Sequence, residues 1–171
     1  MAVKTFNTER LHLRPATLED APFVLKLLNM PKWLEYIGDR NVHTVKDAQE
    51  YIKNRMIPQI KRLGYGNYTV IREDDEALLG CCGLYNREGL EGVDIGFSFL
   101  PQFEGKGYAY EAAACVLEAG FNTFDLNRVG AITLEINTSS RRLLEKLGLE
   151  FVKNIKLEGD DQELMYYEVV K

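Results

Sequence analysis

The segment Phe97-Ser98-Phe99-Leu100-Pro101-Gln102-Phe103-Glu104-Gly105-Lys106-Gly107-Tyr108-Ala109 constrains this chain most. An extended run stops at Pro101, two glycines bracket Lys106, and a helical pattern opens at Tyr108. Gly105 and Gly107 permit torsions and close approaches that a Cβ blocks. The first N–H groups of the following helix have no partner within it. Free donors at the positive end of a helix dipole make an anion site, and a pyrophosphate is its natural guest. The turn is not a P-loop, because no Gly-Lys-Ser/Thr end follows it. Nor is it the dinucleotide fingerprint: that pattern's third glycine falls on Tyr110, and the strand before it does not open a βαβ unit.

The rest of the chain places this turn within an α/β (α+β) domain. Residues 8–15 read as a strand, and Thr17 with Glu19 and Asp20 reads as a helix start. A loop carries Pro31, Trp33, Tyr36 and Gly38. A helix from Thr44 runs to Leu63, kinked or interrupted at Pro58. Residues 68–72, 77–85 and 93–100 then read as three strands on short turns, an antiparallel meander. A helix over 108–123 follows, then a strand over 129–134 and a short helix from Asn137 ending at Gly148. A closing hairpin spans 150–157 and 163–170. The sum is one domain over residues 1–171, a central, mixed, mostly antiparallel twisted sheet flanked by about four helices.

Composition excludes several functions. An apolar share of 46% in 171 residues supplies a core without staples. Cys81, Cys82 and Cys115 make no disulfide framework, and with His12 and His43 they form no metal-ligand spacing, so no metal is expected. The formal charge of −5 argues against nucleic acid as a partner and suits a cationic substrate. Residues 1–62 hold 11 basic against 7 acidic side chains, and residues 63–171 hold 10 against 19. No apolar leader or membrane-length run is present, so a cytoplasmic protein without a membrane partner is expected, as monomer or homodimer.

Residues 101–149 resemble the acetyl-CoA-binding half of the GNAT superfamily of N-acetyltransferases. They are most similar to the branch containing the ribosomal-protein N-terminal acetyltransferases. The likeness is carried by Pro101, Gly105-Lys106-Gly107-Tyr108-Ala109 and Glu111-Ala112, then by Asn137, Ser140 and Leu144-Glu145-Lys146-Leu147-Gly148. The opening Thr8-Glu9-Arg10-Leu11-His12-Leu13-Arg14 resembles the same branch. Two departures stand out. The first position of the superfamily's pyrophosphate motif falls on Glu104, although Gln102 fits the pattern two residues earlier. Leu144 occupies the place where many members carry a tyrosine acid.

The resemblance implies acetyl transfer from acetyl-CoA to a primary amine, with strands splayed at the cofactor site. Glu104, Gly105, Lys106, Gly107, Tyr108 and Ala109 then hold the pyrophosphate, and main chain around Phe97 and Phe99 pairs with the pantetheine arm and polarises the thioester. Asn137 bonds the pantetheine amide or caps its helix. Ser140 protonates the leaving thiolate, and Asp94 is the candidate base, with Glu35 a further acid near the amine. Arg141, Arg142 and Lys146 face the phosphates or water, and Trp33, Tyr36, Tyr65 and Tyr68 line an acceptor pocket or pack in the core. The acceptor is a protein N-terminal α-amine, or a small molecule such as a polyamine, an antibiotic or an amino acid. A weakly catalytic CoA-binding module, or a protein binding ATP or NAD, is the alternative.

Overall fold

A computed structural model describes residues 3–171. Eight strands form one sheet: β1 Phe6–Asn7, β2 Leu11–Pro15, β3 Asn67–Arg72, β4 Leu78–Tyr85, β5 Asp94–Phe99, β6 Arg128–Thr133, β7 Glu150–Ile155 and β8 Leu164–Val170. Their order is β1-β2-β3-β4-β5-β6-β8-β7. Every neighbouring pair is antiparallel except β5 and β6, which run parallel. The helices are α1 Ala21–Leu28, α2 Pro31–Tyr36, α3 Val45–Tyr51, α4 Ile57–Leu63, α5 Tyr108–Asn122 and α6 Thr138–Lys146. The mixed, mostly antiparallel α/β fold is the one expected from the sequence.

Three local expectations need correction. The opening strand is a hairpin: Thr8 accepts and donates within a tight turn, and only residues from Leu11 onward pair with β3. The loop expected around Trp33 contains α2, with Pro31 as its first residue, where a missing N–H costs nothing. Finally, α3 and α4 form one rod joined by a π-turn, Ile52–Met56, so the sheet is flanked by five rods rather than about four. Pro58 lacks the N–H that an α-helix needs, and the widened turn before it absorbs that gap.

The sheet separates two apolar layers. On one face α5 packs Ala112, Ala113 and Val116 onto Leu84, Ile95 and Tyr68. On the other, α1, α2 and α3 bury Leu27, Trp33 and Ala48 with Cys81 and Leu100. Cys81 and Cys82 therefore point to opposite faces as expected, and burial pushes both thiols up, Cys81 to about 12.

One buried carboxylate fastens the second layer. Asp20 is 2% exposed and accepts from both terminal nitrogens of Arg14 at 2.8 Å, from the Thr17 N–H at 3.0 Å and from the Thr69 hydroxyl at 3.0 Å. Burial alone raises its proton affinity, but the donors from Arg14, Thr17 and Thr69 outweigh it, and the pKa lies below the ordinary value. Asp20→Ala is expected to cost about 3 kcal/mol, the low end for breaking a buried pair because Arg14 reaches water. Its contribution is full above the unfolded carboxyl pKa of about 3.9 and disappears as pH falls through the lower folded value. Denaturant midpoints of both proteins at neutral pH and near pH 3 check this: the difference shrinks in acid.

Candidate active site

The parallel pair β5–β6 is a fork. Its one register pair is Asp94 with Gly130, closed by the Gly130 N–H to the Val93 carbonyl at 2.9 Å. Beyond that point the strands part. On its other edge β5 is zipped to β4 through alternate residues, and the Leu100 N–H to Leu79 carbonyl bond sets the phase. Ser98, Gly96 and Asp94 therefore turn their main chain toward β4. Phe97 and Phe99 turn theirs into the gap, where among the described residues no β6 residue pairs with them.

The open end of the fork leads to the glycine turn. Gly105 and Gly107 have φ of +73° and +82°, a region that costs a residue with a Cβ about 1–2 kcal/mol. Gly107 is the N-cap of α5, and the first bond inside the helix is from the Glu111 N–H to its carbonyl, at 3.1 Å. The amides of Tyr108, Ala109 and Tyr110 are thus left over, at the positive end of a 15-residue helix. No heavy atom outside the adjoining chain lies within 4 Å of the position a Cβ on Gly105 would take. This open cradle of donors fits a pyrophosphate.

The β1–β2 hairpin clamps the turn from behind. Glu111 accepts from the Thr8 hydroxyl at 2.7 Å, the Arg10 N–H at 2.9 Å and Arg10 Nε at 2.7 Å. Burial raises the Glu111 carboxyl, but these donors prevail and hold it below its ordinary value. Arg10 also donates to the Lys106 carbonyl at 3.0 Å and lies 4.3 Å over the Tyr108 ring. Glu111 is thereby a brace, and the opening Thr8-Glu9-Arg10 run fixes the backbone around Gly107. Glu104 does not face the cradle alone, since Lys32 of α2 holds its carboxylate at 2.7 Å.

The other expected residues divide. Asn137 caps α6, its side-chain oxygen accepting from the Ser140 N–H at 3.3 Å, which leaves its amide protons available. The Ser140 hydroxyl is half-buried and has no hydrogen-bond partner among the described residues. Leu144 is 1% exposed in the core, so the tyrosine position is filled by packing. Arg141 braces the Glu135 carbonyl and the Tyr167 hydroxyl, and Lys146 covers the Tyr110 ring at 4.1 Å. Tyr65 and Tyr68 are core residues, Tyr36 is half-buried, and Glu35 is exposed on α2. Among the described residues no cluster of metal ligands occurs, and no helix is long and apolar enough to cross a membrane.

Asp94 lies at the closed end of the fork, on the face away from α5, and is 1% exposed. Arg87 Nε donates to both its oxygens, at 2.9 and 2.8 Å. Burial raises the Asp94 pKa, and Arg87 opposes that rise without cancelling it. Across the vertex, the Tyr166 ring packs onto Gly130 and its hydroxyl donates to Glu168 at 2.8 Å. Burial first, then Glu168, pushes Tyr166 up to about 12. A groove of about 450 Å³ opens there between Gly89–Glu91 and β7–β8, lined by Arg128, Lys153, Lys156, Tyr166 and Glu168. Sequence reasoning misses Arg10, Lys32, Arg87 and Tyr166. The strand glycines Gly96 and Gly130 are the available signal for the last two, because a glycine inside a strand marks a close approach.

Known proteins share both the sequence pattern and this architecture. The family model "Acetyltransferase (GNAT) domain" matches residues 10–150. The uncharacterized N-acetyltransferase YnaD of Bacillus subtilis (strain 168) is 29% identical over 164 residues, 94% of this chain and 93% of its own. The uncharacterized N-acetyltransferase p20 of Bacillus licheniformis is 30% identical, covering 86% and 83%. A GNAT-family acetyltransferase structure from Bacillus anthracis superposes with a TM-score of 0.80 at 26% identity, covering 98% of both chains. The ribosomal-protein-S5-alanine acetyltransferase of Vibrio fischeri shares the fold, with a TM-score of 0.82 at 17% identity over 98% and 96%. A fork closed at Asp94, a cradle at Gly107 and a match spanning most of the sequence agree: the chain belongs to the GNAT acetyltransferase family, in which acetyl transfer to an amine is the general activity.

Proposed function

We propose that this protein moves the acetyl group of acetyl-CoA to a primary amine, either a protein N-terminal α-amine or a small-molecule amine. The observation that carries the reading is the continuity of two donor sets. The leftover amides of Tyr108, Ala109 and Tyr110, with Gly105, Lys106 and Gly107, meet the pyrophosphate. The outward-turned main chain of Phe99 and Phe97 meets the pantetheine arm one step along the same path. Lys32 neutralises Glu104, so that carboxylate sits at the cradle's rim without repelling the phosphates. Asn137 adds its amide protons from the β6 side.

The chemistry needs a neutral amine, a polarised carbonyl and a proton for the thiolate. An ammonium with a pKa of about 8 to 10.4 is mostly protonated at neutral pH. Asp94 at the vertex takes that proton, and its burial supplies the raised affinity a base needs. The nitrogen then attacks the thioester carbon. A main-chain N–H in the fork stabilises the developing oxyanion, as the C–N bond forms and the C–S bond breaks. Ser140, whose hydroxyl has no hydrogen-bond partner among the described residues, gives its proton to the sulfur and is reprotonated by the second proton that the nitrogen sheds as the neutral amide forms.

Thiol release from acetyl-CoA over a panel of peptides, polyamines, aminoglycosides and amino acids tests the reading. At least one amine is expected to release thiol stoichiometrically with acetylated product. Ser140→Ala is expected to lower kcat about 100-fold, the lower end for a general acid, with the acetyl-CoA KM nearly unchanged. Tight CoA binding without thiol release for any amine makes the protein a binding module instead. Unaltered turnover in Ser140→Ala removes that residue from the reaction.

A further inference from the structure

Arg87 is more elaborately seated than an ion pair requires. Its Nε alone serves Asp94, and among the described residues Nη1 and Nη2 have no hydrogen-bond partner. The side chain is 35% exposed. Its guanidinium lies 4.9 Å over the Tyr85 ring. That ring in turn lies against two glycines that face each other across β4 and β5, Gly83 and Gly96. A Cβ on Gly83 would stand 3.0 Å from Tyr85, and one on Gly96 2.9 Å from it. The Tyr85 hydroxyl is pinned to Asn67 at 2.8 Å. Facing glycines weaken a sheet, and here they make room for the Tyr85 ring, which in turn seats the Arg87 guanidinium.

The position matters as much as the support. Arg87 Nη2 is 3.5 Å from where a Gly96 Cβ would be. The guanidinium therefore stands over β5 at Gly96, two residues beyond Asp94 on the same face of the strand. A guanidinium held at Nε and stacked on an aromatic ring loses little freedom when its free end is engaged. Its two terminal nitrogens match the two oxygens of a carboxylate.

We propose that the acceptor carries a carboxylate close to its reacting amine, and that Arg87 is the specificity-determining residue that binds it. This rests on the transferase reading above. The carboxylate docks end-on at Nη1 and Nη2 of Arg87 and the amine falls toward Asp94, so the Arg87–Asp94 pair reads both ends of a zwitterion. The same chemistry comes from a free amino acid or from an acidic side chain at a peptide N-terminus.

Binding and turnover separate the two layers of inference. Protein saturated with CoA is titrated calorimetrically with glutamate, β-alanine, an Asp-initiated tripeptide, and each ligand's amide counterpart. At least one carboxylate ligand is expected to bind ten-fold or more tighter than its amide, the loss expected when a charge-assisted bidentate contact is removed. The free amino acids and the peptide identify the source. Arg87→Lys, which keeps the charge beside Asp94 but not the fork, is expected to erase that preference. Equal affinity of acids and amides in the unaltered protein overturns the proposal, as does a preference that survives in Arg87→Lys. Absence of thiol release with the preference intact counts against the transferase reading alone.

Discussion

Replacing Gly107 by valine is expected to raise the dissociation constant for acetyl-CoA by about 100-fold or more, equivalent to roughly 2.7 kcal/mol. Three effects add. The residue has φ of +82°, where a β-branched side chain is a genuine outlier. Its Cβ would stand 3.3 Å from Arg10 Nη2, pushing on the guanidinium that holds the Lys106 carbonyl. And Gly107 is the N-cap from which the leftover amides of α5 are aimed, so a shift there misdirects all of them. Gly159→Asn is the matched control: φ is +80°, the space is open, asparagine tolerates this region, and the residue lies in the turn between β7 and β8 rather than in the cradle, so affinity within about three-fold is expected. Calorimetry with acetyl-CoA and a thermal melt of both variants decide the matter. Native-like affinity in Gly107→Val would place the pyrophosphate elsewhere.

The sheet is legible in the sequence because its signals are local. The acidic turn at residues 73–76, Pro101 after β5, and the alternation through 93–100 each report on a few neighbouring residues. No local signal reports α2. Its six residues are too few for a periodic pattern, and the helix exists because Trp33 is buried in the second layer, in the same apolar cluster as Met30 and Leu100. The π-turn is equally hidden: Pro58 announces an interruption, but the rod continues through it because Ala48 and Ile52 before Pro58 are anchored in one apolar layer and Ile60 after it in the other.

The site divides along the same line. The glycine turn is a backbone device, so its residues are written consecutively and can be read directly. The clamp behind it joins residues about a hundred positions apart, Arg10 with Glu111 and Lys106, and no periodicity links them. The sequence marks Glu104 as out of place beside phosphate. The explanation, Lys32, comes from α2, the helix without a local signal of its own. Likewise Asp94 stands out by its place on a strand opposite Ile95, Phe97 and Phe99. Its partner Arg87 sits in the turn before β5, where a charged residue ordinarily faces water.

That pair yields a stability prediction with a sign that acid–base linkage fixes. Arg87→Ala strands a carboxylate that is 1% exposed, whereas Asp94→Ala leaves a guanidinium already one-third in water. The first is expected to cost about 3–4 kcal/mol at pH 8 and the second about 1–2, although both delete the same contact. The Asp94 pKa already lies above its ordinary value, because burial outweighs Arg87. Removing Arg87 lifts it further. A carboxyl that binds its proton more tightly when folded loses stability as pH rises from its unfolded value, about 4, toward its folded one. The deficit of Arg87→Ala therefore narrows on going from about pH 8 to pH 5, while that of Asp94→Ala does not. Urea denaturation at the two pH values reads this directly. The double variant Arg87→Ala/Asp94→Ala carries no stranded charge and is expected to be more stable than Arg87→Ala alone, the mark of a coupled buried pair. A pH-independent deficit in Arg87→Ala, with the double variant no better, would mean that water reaches Asp94 and that the closed end of the fork is open to solvent.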